Sequence, residues 1–147
     1  MKRLGAELIA VSITACAFLV SSCGTPEPAK TLNIRGTIVI KALNVTANGP
    51  SGERVTKFGD KCAGSGQYGD IVAGGKVIIY NARDEKIALG EIGEGKSLGE
   101  YGHYCEIPFA ADDVADDGTI YSVEIPHGEK VTFGKSESDS IRVTLGY

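Results

Sequence analysis

Alternation of apolar and polar residues is the feature of this 147-residue chain that most limits its fold. From Thr31 onward, Leu32, Ile34, Ile38 and Ile40 alternate with polar or small residues. A period of two predicts a long strand with one buried face. No window long enough for an amphipathic helix shows the helical period. We therefore expect an all-β protein.

The next stretches predict a hairpin and two loop-rich segments. Segment 76–80 is apolar on both faces, which favours a central strand, and the polar segment 81–85 is typical of a turn. The facing strand of the hairpin begins near Ile87. Segments 44–75 and 90–102 are rich in glycine, and we expect mainly loops there, with one short strand near residues 54–58.

The second half of the chain carries more alternating stretches. Their apolar positions are Cys105, Ile107 and Phe109; Tyr121, Val123 and Ile125; Val131 and Phe133; and Ile141, Val143 and Leu145. Pro108 cannot donate to a ladder, so it favours an edge position or a bulge. Short strands between glycine-rich turns predict one immunoglobulin-like or prealbumin-like β-sandwich of about seven to eight strands.

The first residues have the layout of a secretory signal. Lys2 and Arg3 form a positive segment, residues 8–20 are mainly apolar, and small residues precede Cys23. The apolar run is shorter than the roughly 20 residues that a membrane-spanning helix needs. We expect residues 1–22 to be a cleaved signal peptide.

The end of this leader, Val20-Ser21-Ser22-Cys23, resembles the lipobox of bacterial lipoproteins. The resemblance implies that Cys23 is acylated, for example with palmitate, and becomes the first mature residue. It places the protein on the outer face of the bacterial cytoplasmic membrane or in the cell envelope. Two or more acyl chains anchor a protein stably. Residues 23–30 are then a lipidated, proline-containing tether, and residues 31–147 are the folded domain.

The charge pattern argues against two kinds of partner. The net charge is −4 and no basic run is present, whereas phosphate-backbone binding needs clustered Lys and Arg. A polybasic grip on anionic lipid headgroups is excluded for the same reason. We expect a monomer that contacts the membrane through its lipid alone and has a cell-envelope or protein partner.

The four cysteines reduce to one pair. Cys16 lies in the leader and Cys23 carries lipid, which leaves Cys62 and Cys105 in an exported protein, where disulfides persist. A bridge closing a loop of about 44 residues contributes about 4 kcal/mol in the chain-entropy model. A redox pair is typically Cys-x-x-Cys, which is absent, so we expect a structural disulfide.

Three segments, 62–81, 105–109 and 121–128, resemble small secreted proteins and lipoproteins of actinobacteria. The pattern of that group is roughly C-x-G-x-G-G-Y-x-D-I-x-x-G-x-x-V-x-V, then C-x-F-x-F, then Y-x-V-x-V-x-x-R-G. Those proteins are largely of unknown function, so the resemblance implies location and a β-rich fold rather than an activity. The chain departs from the pattern at His127, which stands where the group tends to have arginine.

An acidic stretch partly matches a calcium-binding loop. Asp113, Asp117, Gly118 and Glu124 fit the spacing D-x-D-x-D-G-x5-E, but Ala115 replaces the second acidic position and no helices flank the segment. Alternation places Glu124 on the solvent side of its strand. We interpret the stretch as an acidic surface turn, with calcium binding by Asp113, Asp117 and Glu124 as the alternative.

Motifs for other chemistry are weak or missing. A copper or zinc site would need the thiolates of Cys62 and Cys105, which the disulfide would consume, together with His103 and His127. The chain has no G-x-S-x-G nucleophile motif and no tryptophan for stacking on a sugar. We expect no cofactor, no metal and no catalytic residue.

These observations favour a lipid-anchored, non-enzymatic binding module. A Cys62–Cys105 bridge would join the bases of two glycine-rich loops, and loops on a rigid β scaffold often carry function. The expected interaction surface comprises Tyr68, Asp70, Tyr101, His103 and Tyr104. The alternative is a purely structural role, in which these aromatic rings cover the disulfide and the sheet edge. The alternatives in function are a phage- or prophage-type superinfection-exclusion lipoprotein and a small extracytoplasmic enzyme.

Overall fold

The structure, a computed structural model, describes residues 28–41, 45–46, 59–98 and 104–146. The strands in this part of the chain are β1 (Thr31–Lys41), β2 (Val45–Thr46), β3 (Lys61–Gly64), β4 (Lys76–Asn81), β5 (Lys86–Ile92), β6 (Gly95–Leu98), β7 (Tyr104–Ala115), β8 (Ile120–Glu124), β9 (Lys130–Gly134) and β10 (Ile141–Leu145). Two short 3-10 turns cover Gly66–Tyr68 and Lys135–Glu137. No helix in the described residues is long and apolar enough to cross a membrane.

Strand β7 organises the sheet. One of its edges pairs with β1 over nearly its whole length, and its other edge pairs first with β6 and then with β5. The hydrogen-bonded path therefore runs β9-β8-β4-β5-β7-β1-β10, and a second arm runs β7-β6-β3-β2. All pairs are antiparallel except β1 with β10, which is parallel.

The long path closes into a sandwich. Strands β9 and β10 lie at its two ends, yet only residues 135–140 join them. Because a chain spans at most about 3.5 Å per residue, the sheet must curl until the two ends approach each other. Its inner faces then bury one hydrophobic core, which includes Ile38, Val77, Ile79, Val123 and Val143. The prediction of an all-β sandwich is confirmed.

Most of the predicted strands are present with the expected faces. Strand β10, for example, is buried at Ile141, Val143 and Leu145 and exposed between them. Segments 44–75 and 90–102 differ from the prediction, because β3 and β6 lie within them and the described strands number ten. The inward positions of β6 are Gly95 and Ser97, so this strand has no apolar alternation to reveal it. The expected strand at 54–58 lies outside the described residues.

Pro108 does not lie at an edge, since β7 is paired on both sides, but the pairing is irregular opposite it, in keeping with the bulge alternative. Thr37 is the partner of Pro108 on β1, and the Pro108 carbonyl accepts a hydrogen bond of 2.8 Å from the Gly93 N–H on the other side. Gly93 lies between the end of β5 and the start of β6. The missing N–H of Pro108 therefore points at an interruption in the neighbouring strand, where no ladder bond is lost.

The predicted disulfide is confirmed and crosses one strand. Cys62 lies on β3 and Cys105 on β7, and β6 runs between them. Their Cα atoms are nevertheless only 5.9 Å apart. Neighbouring strands alone are separated by about 4.8 Å, so β3 must bend sharply towards β7 at this point. The bridge therefore fixes the curl of the second arm.

Candidate binding groove

The outer face of β7 carries an open groove. Cys105, Ile107 and Phe109 face the core, so the alternate residues face outward. Two adjoining cavities of about 500 and 290 Å³ lie on this side and share Thr37 and Pro108. We call this feature the β7 groove and define it by Arg35, Thr37, Glu106, Pro108, Ala110 and Arg142.

The interruption between β5 and β6 explains the depression. Gly93 has no side chain there, and a Cβ at this position would lie 3.0 Å from Cγ of Pro108. Pro108 is exposed, and its outward neighbour Ala110 is small. Small side chains and an interrupted strand leave the middle of the face low, while longer side chains stand on both sides.

Two arginines form the polar walls. Arg142 on β10 lies 2.7 Å from Glu106 on β7, so this ion pair crosses β1. Arg35 on β1 pairs with Asp112 on β7. All four side chains are at least 30% exposed, and exposed ion pairs contribute only about 0–1 kcal/mol each. The pairs can therefore exchange partners with a ligand at little cost.

The groove offers hydrogen-bond donors and acceptors together. A guanidinium has five N–H donors, and the ion pair of Arg142 uses one nitrogen. Glu91 lines the opposite side, where a hydrogen bond of 2.7 Å from Lys76 lowers the pKa of its carboxyl. Lys96 and Glu94 line the smaller cavity. Charges of both signs thus line the groove.

Other groups with shifted pKa values have structural partners outside the groove. A hydrogen bond of 2.7 Å to Glu124 raises the pKa of Tyr80, whose ring also lies 3.6 Å from Nζ of Lys130. Asp116 accepts a bond of 2.5 Å from Lys135, which lowers the pKa of its carboxyl. These pairs join strands or turns, as expected of stabilising contacts.

The expected interaction surface is only partly supported by placement. Tyr68 is buried in the core cluster that also contains both bridge cysteines, and its ring meets His127 edge-on at 5.2 Å. This placement suits packing rather than recognition. Asp70 is exposed, and Tyr104 is 44% exposed at the start of β7, opposite Leu98 on β6.

Three predicted site residues lie outside the described part of the chain: Cys23, Tyr101 and His103. Tyr104 is therefore the member of the expected surface that adjoins the β7 groove. Leu98, its partner on β6, lines the smaller cavity.

Two of the three carboxylates of the calcium alternative, those of Asp117 and Glu124, are held by different partners. Asp117 accepts a hydrogen bond of 3.1 Å from Nδ2 of Asn81, and Glu124 accepts one of 2.7 Å from Tyr80. The backbone N–H of Asp113 points to Asn33 instead. Across the described ranges, no three His, Cys, Asp or Glu side chains are grouped as a metal would require. The sulfurs of Cys62 and Cys105 are joined to each other, which removes the thiolates of the copper or zinc alternative.

The sequence did not reveal the groove as a site. Its lining residues come from β1, β5, β6, β7 and β10, which are far apart in sequence, and many of them occupy the outward positions of ordinary strand alternation. Pro108 within a strand pattern was the one local signal. Comparison of the chain with models of protein families, with curated proteins and with solved structures found no match.

Proposed function

We propose that the protein is an exported lipoprotein, anchored through Cys23, whose β-sandwich is a non-enzymatic binding module. The partner belongs to the cell envelope and presents an extended polar segment to the β7 groove. The observation that carries this proposal is the pair of adjoining cavities along one strand.

The shape and charge of the groove support an extended ligand. Its two cavities meet at Thr37 and Pro108 and follow β7, so a chain-like ligand fills them better than a compact molecule. Charges of both signs suit a ligand rich in amides or hydroxyls, because such groups both donate and accept hydrogen bonds. Pro108 and Ala110 add an apolar floor.

The chemistry of the lining residues supports binding rather than catalysis. Arg35, Glu91, Glu106 and Arg142 each hold an ion pair. Catalytic acids and bases are typically tuned by burial and specific neighbours. Glu91, the groove carboxyl with a lowered pKa, is kept ionised by Lys76 at the surface. An ionised carboxylate of this kind can accept a hydrogen bond from a donor group of the ligand.

Photo-crosslinking on intact cells tests the groove. A photoreactive amino acid replaces Thr37 in the groove in one variant and Thr132, exposed on β9, in the control. We expect a defined adduct from position 37 that is absent from position 132. The same adduct should be lost when Ala110→Trp is added, because the indole ring fills the groove. No adduct at position 37, or the same products from both positions, would contradict the proposal.

A further inference from the structure

The start of the domain lies at one end of the sandwich. Thr31 pairs with Ala115, the last residue of β7, and the carbonyl of Lys30 accepts a hydrogen bond of 2.9 Å from Asp116. Asn81 at the β4–β5 turn reaches Asp117 at 3.1 Å. We call this the N-terminal end, and it includes Lys30 and the turns 81–85 and 115–120.

The opposite end contains the disulfide. Lys41, the last residue of β1, pairs with Tyr104, the first residue of β7. Ile40 pairs with Leu145 near the end of β10. Strand β7 has 12 residues, so the two ends are separated by about 36 Å at about 3.3 Å per residue. We call this the disulfide end, and it includes Tyr104 and Leu145.

We infer that the protein stands on the membrane with its N-terminal end towards the lipid headgroups and its disulfide end outward. This inference rests on the proposed anchor at Cys23. The eight residues from Cys23 to Lys30 are joined by seven peptide bonds and can span at most about 25 Å, which is shorter than the length of the domain. The attachment therefore holds the N-terminal end close to the bilayer.

The orientation specifies how the β7 groove meets its partner. Leu98, the partner of Tyr104, lines the outer mouth of the groove, whereas Arg35 and Ala110 lie nearer the N-terminal end. The long axis of the groove then points away from the membrane. A partner enters from the envelope side and runs towards the bilayer, so lipid headgroups themselves do not fill the outer mouth.

Fluorescence on vesicles tests the orientation with the full, processed chain. With Cys23 acylated and Cys62 bridged to Cys105, a new cysteine is the single free thiol. Ala82→Cys labels the N-terminal end and Thr144→Cys labels β10 towards the disulfide end; both positions are exposed. We expect energy transfer to acceptor-labelled headgroups of phosphatidylcholine vesicles to be at least about twofold higher from position 82.

A reversed attachment provides the control. Residues 24–147 with a hexahistidine tag after Tyr147 lack both Cys16 and Cys23, so the new cysteine is again the single free thiol. Bound to nickel-chelating lipid, this chain should invert the ranking of the two positions. Equal or inverted transfer from the naturally anchored protein overturns the orientation. Co-flotation with vesicles reports on the anchor separately: a processed chain that does not float overturns the anchor and the orientation together, whereas floating with equal transfer overturns the orientation alone.

Discussion

Gly95 faces the sulfur of Cys105 so closely that a Cβ at position 95 would lie 2.9 Å from Sγ. The same Cβ would lie 2.5 Å from the carbonyl oxygen of Cys62. Gly95 lies on β6, which runs between β3 with Cys62 and β7 with Cys105. The bridge therefore passes over Gly95, the one position of β6 that lacks a side chain. The disulfide and this glycine therefore form one packing unit.

Replacing Gly95 with alanine should strain this unit. Overpacking a core typically costs about 1–3 kcal/mol, and contact with a backbone oxygen favours the upper end of that range. We expect Gly95→Ala to lower the free energy of unfolding by about 3 kcal/mol in chemical denaturation. Gly118→Ala is the matched control, because a Cβ there meets nothing closer than 4.0 Å. Equal effects at both positions would contradict the packing explanation.

Removing the disulfide should destabilise the domain through the unfolded state. The bridge encloses a sequence separation of 43 residues, for which the chain-entropy model gives about 4 kcal/mol. We expect the Cys62→Ala/Cys105→Ala double variant to lose most of this amount in denaturant titrations. Intact mass should place the native domain about 2 Da below the reduced one. Free thiols in exported material would contradict the bridge.

The buried hydroxyl of Tyr121 should stabilise the turn before β8. It accepts a hydrogen bond of 3.1 Å from the Gly118 N–H and lies 3.1 Å from the Gly118 carbonyl. Tyr121 is fully buried, so Tyr121→Phe leaves these groups without their partner and should cost about 1–2 kcal/mol. Tyr80→Phe, at a half-buried position, should cost less. A larger loss of stability for Tyr80→Phe than for Tyr121→Phe in thermal unfolding would contradict this explanation.

Acid should weaken the fold through surface carboxylates. Hydrogen bonds from Lys135, Arg83 and Lys76 lower the pKa values of Asp116, Glu85 and Glu91 respectively. A carboxyl whose pKa is lower in the folded state stabilises the fold at pH values above its unfolded pKa of about 4. This stabilisation is lost as the pH falls through the folded pKa. The urea midpoint should therefore fall between about pH 5 and pH 2, and this fall should be smaller in Asp116→Asn.

The contradictory outcome is a urea midpoint that rises on acidification, since that would require these carboxyls to have higher pKa values when folded. The Asp113→Asn variant is a suitable control, because the Asp113 side chain is exposed and asparagine also tolerates its positive φ of 53°.

Periodicity was sufficient to predict the fold class. Strands β8 and β10 bury every second residue, and such a pattern fits a sheet with one face in a core. The expectation of export, with Cys16 and Cys23 set aside as leader and lipid site, was sufficient to predict the Cys62–Cys105 disulfide. Strand β6 was missed because glycine and serine fill its inward positions, the glycine being required by the bridge.

The candidate site could not be predicted in the same way. Tyr68 was expected at the interaction surface because aromatic rings favour interfaces, but local sequence does not distinguish an exposed ring from one buried beneath a loop. The β7 groove depends on the order of strands, which brings Arg142 next to Thr37 and both near Pro108. Strand order is a property of the whole chain, so alternation within single strands does not reveal it.

The anchor at Cys23 is the central claim, and fatty-acid labelling tests it most directly. Cells expressing the full chain, Cys23→Ser or the control Cys16→Ser are fed an alkyne fatty acid, and the N-terminal peptide of the purified protein is examined by mass spectrometry. We expect label and an acylated N-terminal Cys23 in the full chain and in Cys16→Ser, and neither in Cys23→Ser. An unlabelled full chain, or equal labelling of Cys23→Ser, would contradict the account.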